Sequence, residues 1–296
     1  MYIFLFLPIL FFSGYLFAEK AIFSWPIQTD SIKNRLTSLF GESRVDHFHN
    51  GVDISSDNEA VRAMGDGVLL YSRYEDDSPF SNEAGSGNCV WLGHKEGFLS
   101  GYFHLKDGRE DGLLEKEEVH SGEVIGKSGN TGHSSGSHLH FIVAKENGKK
   151  IINPLPLLPF AEDKRPPQIS QLILTIGDKY TYINDGDNIN ISQSFPVSVP
   201  IIDSVDKAGM RRGVKKIEFY FNRKLLKTSN FNEISLKGKY WVNEDGLKFN
   251  DLFYQGNYYI GDLNLVSGEN IIKINAYDFN ENKTTKSYAF NVTRIK

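Results

Sequence analysis

The chain has 296 residues, enough for two domains, and 40% of them are hydrophobic, so a sizeable core can be buried. A formal net charge of −4 and a pI near 6.1 leave no basic footprint for nucleic acid. The single cysteine, Cys89, excludes a disulfide framework within the chain, and its apolar run Cys89-Val90-Trp91-Leu92 reads as a buried structural thiol.

Met1 to Ala18 is almost wholly apolar and runs into Glu19-Lys20, the shape of an export signal with Ala18 before the cut. No Lys or Arg precedes the run and Leu16 is large for the minus-three position. Its length also reaches the lower limit for a spanning helix, which makes an uncleaved membrane anchor the alternative. In both cases the rest of the chain is expected outside the cytoplasm, periplasmic or otherwise in the cell envelope, or secreted.

Trp25-Pro26 breaks the lead-in to Phe40. His49 and Asp53 then flank Gly51 at the start of an alternating apolar pattern that predicts a strand. Gly65-Asp66-Gly67 marks a turn before Val68 to Tyr71, expected as a buried strand. The acidic stretch Glu75 to Gly87 is expected as a loop on the rim of a groove. Asn88 to His94 and Phe98 to Leu105 predict a hairpin. Alternation in its second strand puts Tyr102 on the same face as His104. Gly122 to Lys127 is a short strand, and a Gly- and Ser-rich loop follows. Asn130 in that loop reads as a residue holding a turn or left-handed conformation. The loop delivers His138-Leu139-His140 into the apolar run Phe141 to Ala144.

If Ser137 onward is a strand, the imidazoles of His138 and His140 share one face, roughly 6.5 to 7 Å apart at the backbone. A neutral imidazole and a hard carboxylate oxygen are good zinc ligands. His49, Asp53 and one histidine of the later pair make a set of three that leaves a position open for water, the arrangement of a catalytic rather than a structural zinc. Spacing does not say which of His138 and His140 is the ligand. Taken singly, each of these residues reads as a hydrogen-bonded polar group. Their joint order is what points to a metal, and all eight histidines precede residue 141. His47, His94, His120 and His133 have no assigned partner and read as surface groups, with His133 the best placed to line a groove.

The ordered motifs His49-x-Gly-x-Asp53, Tyr102-Phe103-His104-Leu105, Gly129-Asn130-Thr131-Gly132 and His138-Leu139-His140-Phe141 resemble the lysostaphin-type (LytM-like) zinc metallopeptidases. The resemblance covers roughly Trp25 to Pro154. It implies an all-β duplicated-hybrid-motif fold and a peptidoglycan endopeptidase, with peptidoglycan as the partner. It also implies one Zn2+ held by His49, Asp53 and His140, with His104 and His138 as catalytic histidines. Ile142 stands where the family often has Glu, a position that is not a ligand. Inactive relatives that activate other wall hydrolases usually lack metal ligands, whereas this chain keeps them. A non-catalytic wall-binding regulator is therefore the second reading.

Ile151 to Pro167 holds five of the ten prolines and suggests a stiff boundary. The expected organisation is a metallopeptidase domain over residues 19–160, a linker over 161–167 and a second domain over 168–296. Beyond the boundary, Gln168 to Ile176, Phe195 to Ile202, Val214 to Phe221, Asn270 to Tyr277 and Lys286 to Val292 alternate or run apolar between Asn- and Gly-rich turns. That cadence predicts a β-sandwich, and its last hairpin resembles bacterial immunoglobulin-like domains.

Overall fold

The computed structural model describes residues 21–77, 85–159, 161–204 and 211–295, and within them the chain is all-β apart from single helical turns. The Met1–Ala18 segment lies outside these residues. No described helix is long and apolar enough to cross a membrane.

The His138–Lys145 strand is the centre of the first half. It pairs antiparallel with Leu99–Leu105 along one edge, and with Val52–Ser55 and then Lys150–Ile152 along the other. Its side chains follow the period of two that a half-buried strand requires. Leu139, Phe141 and Val143 are fully buried in one apolar core, and the intervening His138, His140, Ile142 and Ala144 line a cleft. The same core takes Val90, Leu92 and Tyr102 from the next two strands, and Val61 and Ile125 from the separate Ala60–Arg62 and Val124–Lys127 pair. Cys89 is buried, as expected, and burial pushes its thiol pKa up.

The sheet ends at Gly67–Arg73, and here the expectation of a buried strand is corrected. Val68, Leu70 and Tyr71 are exposed, because this is the last strand on its side. An apolar run by itself does not distinguish a central strand from an edge.

In the second half, two five-stranded sheets share one core. One orders Lys179–Ile183, Leu172–Ile176, Pro196–Val199, Asn257–Asp262 and Phe253–Tyr254. The other orders Asn188–Ile191, Lys283–Arg294, Gly268–Tyr277, Lys216–Phe221 and Lys224–Asn230. Leu174, Val197 and Ile260 from the first sheet meet Ile217, Ile274 and Phe290 from the second, which makes a sandwich.

The two halves are joined by more than a linker. A hairpin of the second half, Glu233–Lys237 with Tyr240–Asn243, adds to the first half's sheet. Ile234 sits opposite Ile151, and among the described residues the sheet reaches nine strands. Buried Arg212 bonds Asp163 at 2.8 Å and Asp203 at 3.0 Å, pinning the proline-rich segment to the sandwich. Burial raises the Asp203 pKa to about 7. Phe40, Phe48 and Ile151 of the first half pack into the core of the second.

Candidate metal centre

His49 leaves the short Ser43–Arg44 and His47–Phe48 hairpin, held by its N–H on the Glu42 carbonyl at 2.7 Å. Two residues on, Gly51 passes so close to the central strand that a Cβ there would lie 2.4 Å from the Phe141 carbonyl oxygen. Only glycine allows the chain to enter Val52–Ser55 in this register. The register sets Asp53 directly opposite His140. A one-residue slip would turn the carboxylate to the core, so the pairing of these strands creates the site.

His49 Nε2, Asp53 Oδ1 and His140 Nδ1 converge. The nitrogens are 3.1 Å apart, and they lie 3.0 and 2.7 Å from the carboxylate oxygen. The far side of each group is engaged. His49 Nδ1 is 2.7 Å from the Leu39 carbonyl and His140 Nε2 is 3.0 Å from Asn50 Oδ1, contacts that assign the ring protons to those outer atoms. Asp53 Oδ2 accepts from Arg44 at 3.0 Å. Three lone pairs then face one another with no proton between them, an arrangement that repels unless a cation sits among them. The donor set, two imidazole nitrogens and one carboxylate oxygen with outer hydrogen bonds fixing each, fits zinc. Without a metal, a ring proton turned inward from either histidine can take the cation's place, and hydrogen bonds of that kind hold the Asp53 pKa well below the usual carboxylate range despite burial. Burial takes His140 down to about 4.

His104 reaches the cleft by breaking the alternation of its strand. Its φ is +58°, and two steps along Asn88–His94 face three along Leu99–Leu105. This is a β-bulge, and it turns both Phe103 and His104 toward His140, with ring centroids 5.6 and 6.0 Å away. His104 Nδ1 is 2.8 Å from the Thr131 carbonyl and His138 Nδ1 is 2.7 Å from the Gly136 carbonyl. Each ring therefore keeps a bare Nε2 for the cleft, and the two rings stand 4.9 Å apart. Burial lowers the His104 pKa below the usual histidine value.

All five residues singled out in the sequence thus meet in one cleft of about 780 Å³. The bulge also overturns the expectation for Tyr102. Its ring is buried in the core and its hydroxyl accepts the Met64 N–H at 2.9 Å, on the face away from His104. In the Gly129–Gly132 turn the left-handed residue is Gly132, with φ +71°, and not Asn130. His133 lines the cleft, as expected. His47 and His120 are exposed, whereas His94 is half-buried between the Asp66 carbonyl and Ser100. Sequence reasoning missed Arg44, Asn50 and Glu42. For Asn50 the signal was its place beside His49. Nothing local marked the other two.

Residues 47–154 match the family model described as Peptidase family M23, and a further family model without a description matches residues 166–293. An uncharacterized metalloprotease of Buchnera aphidicola is 34% identical over 131 residues, 41% of this chain and 31% of that protein. The DD-carboxypeptidase/endopeptidase Mpg of Neisseria meningitidis is 34% identical over 116 residues, 38% of this chain and 24% of its own length. The murein hydrolase activator NlpD of Salmonella dublin is 33% identical over 145 residues, 48% of this chain and 33% of its own length. The chain thus spans a third or less of the length of these relatives.

Proposed function

From the premise that residues 47–154 are a peptidase family M23 domain, we propose that the chain is a zinc-dependent endopeptidase. Its substrates are peptide bonds in the cross-links or stem peptides of peptidoglycan. The observation that carries this reading is the convergence of three outward-anchored ligand atoms beside two histidines with bare Nε2 atoms. His49, Asp53 and His140 would hold the ion. When bound, zinc supplies Lewis acidity, polarising a carbonyl and acidifying water.

The remaining steps belong to the chain's own residues. His104, kept neutral by burial, accepts the proton of the attacking water at Nε2. His138, whose Nε2 lies 3.7 Å from Asp53 Oδ1, holds that water in line by accepting its second hydrogen. The His104 imidazolium then passes its proton to the leaving amine nitrogen. Arg44 keeps Asp53 turned through its second oxygen, so that Oδ1 stays aimed at the centre.

The kind of relatives matched supports this substrate and an envelope location, and the Met1–Ala18 apolar segment supports export. The match to an activator favours a second reading, a regulator that binds the wall and cleaves nothing. Digesting purified sacculi with and without a zinc chelator, and identifying the products by mass, separates the two. Chelator-sensitive release of new amino termini supports the peptidase. An absence of products from zinc-loaded protein sinks it.

A further inference from the structure

Beside the metal cleft lies a second groove of about 410 Å³, and it is built from both halves of the chain. Its near wall is His47, Asn50 and Ile151, residues it shares with the cleft, so the two spaces adjoin. Asn50 itself carries the hydrogen bond that fixes His140. The far wall is the added hairpin, which presents Tyr240 and Trp241 with 45% and 38% of their surface exposed.

The charge of this wall is unbalanced. Lys248 Nζ lies 3.9 Å from the Tyr240 ring centre and Lys239 Nζ 5.3 Å from it. Neither ammonium has a carboxylate partner among the described residues. The acid facing them, Asp46, is engaged by His47 at 2.6 Å. Two unpaired cations over an exposed aromatic ring make a site for a carboxylate whose apolar neighbour packs on Tyr240 and Trp241.

We infer that this groove is a substrate subsite contributed by the second half, and that it takes an acidic peptide segment leading away from the bond cut at the metal. The inference rests on the peptidase reading for what the segment is attached to. The groove's preference for carboxylates stands on the charges alone.

The test is isothermal titration of the full-length protein, with a zinc chelator present so that binding is read without turnover. The probes are a tetrapeptide bearing two free carboxylates and the same peptide with both converted to amides. Wild type should bind the diacid about tenfold more tightly than the diamide, and K239Q/K248Q should lose that preference. Both lysines are exposed, so the double variant keeps its fold. Equal binding of diacid and diamide by wild type, or an unchanged preference in the double variant, overturns the inference. So does tight binding of a chitin oligosaccharide that W241A abolishes, which would make the groove a sugar site. Sacculus digestion is scored separately. Failed digestion with carboxylate binding intact faults the peptidase reading, and intact digestion without carboxylate preference faults the groove.

Discussion

Gly213 donates its backbone N–H to Glu42 Oε1 at 2.8 Å, reaching from the sandwich into the first half of the chain. Glu42 Oε2 in turn bonds Arg44 at 3.2 Å, and Arg44 bonds Asp53 at 3.0 Å. A backbone amide of one half is thus three contacts from a proposed metal ligand in the other. Replacing Glu42 by Gln leaves the shape and removes the charge that holds Arg44, so zinc affinity should fall by about tenfold. Competition against a chromophoric chelator measures it, and unchanged affinity would mean that Arg44 needs no support. Gly213→Ala should act through the same path. A Cβ there would sit 2.6 Å from Glu42 Cγ, and the crowding should cost about 1–3 kcal/mol of stability.

The proposed ligand set and the proposed catalytic pair should separate cleanly in metal content. His49→Ala, Asp53→Ala and His140→Ala each leave two ligands, a poor site, and elemental analysis should find most of the zinc gone. His104→Ala and His138→Ala keep all three ligands and should retain about one zinc while losing turnover. Full zinc occupancy in the Asp53 variant would show that the ligands have been misassigned.

The acid limb of the rate should lie below the ordinary histidine range. Burial lowers the His104 pKa, so its base form persists to lower pH than that of a free histidine near 6.5. Amino-group release from sacculi should therefore hold at pH 6.5 and fall only below it. The same shifts act on the metal-free fold. His104 and His140 stay neutral in the native state but bind protons on unfolding below about pH 6.5, so stability is full above that value and declines beneath it. Asp53, with its lowered pKa, adds stability that is lost only in stronger acid, below about pH 3.8. Melts in chelator at pH 7.5 and 5.5 should give the lower midpoint at 5.5.

Tyr102→Phe should separate structure from chemistry. It strips the Met64 N–H of its buried acceptor, which should cost about 1–3 kcal/mol. Because the hydroxyl faces the core, kcat at a temperature where the variant is folded should match wild type. A large loss of kcat would return Tyr102 to the cleft.

The candidate metal centre was legible because its signals are local. His49-x-Gly-x-Asp53 sits within one turn-and-strand unit, and His138-Leu139-His140 announces its shared face by the period of two alone. His104 was legible as a motif but not as geometry. The bulge that exposes it is one left-handed residue, and counting alternation through it sends Tyr102 to the wrong side. Arg44 meets Asp53, and Glu42 meets Arg44, only through hairpin and strand pairing, and no periodicity encodes which distant strands will pair. The Glu233–Asn243 hairpin was missed outright. Its alternation Glu233-Ile234-Ser235-Leu236-Lys237 and its Gly238 turn carry a strand signal, but nothing in that pattern names its partner, Lys150–Ile152, in the other half.

That hairpin also sets an order of events in time. Ile152 must wait for Glu233, about eighty residues later in the chain, before its strand has a neighbour on that side. At synthesis rates of about 5–20 residues per second, the wait is on the order of ten seconds. Through that interval Lys150–Ile152 is an open edge, and a second nascent copy would offer the same one. The chain's own hairpin closes the window, and in closing it brings Lys239 to the groove. Protection against self-association and the carboxylate-facing wall thus arrive together.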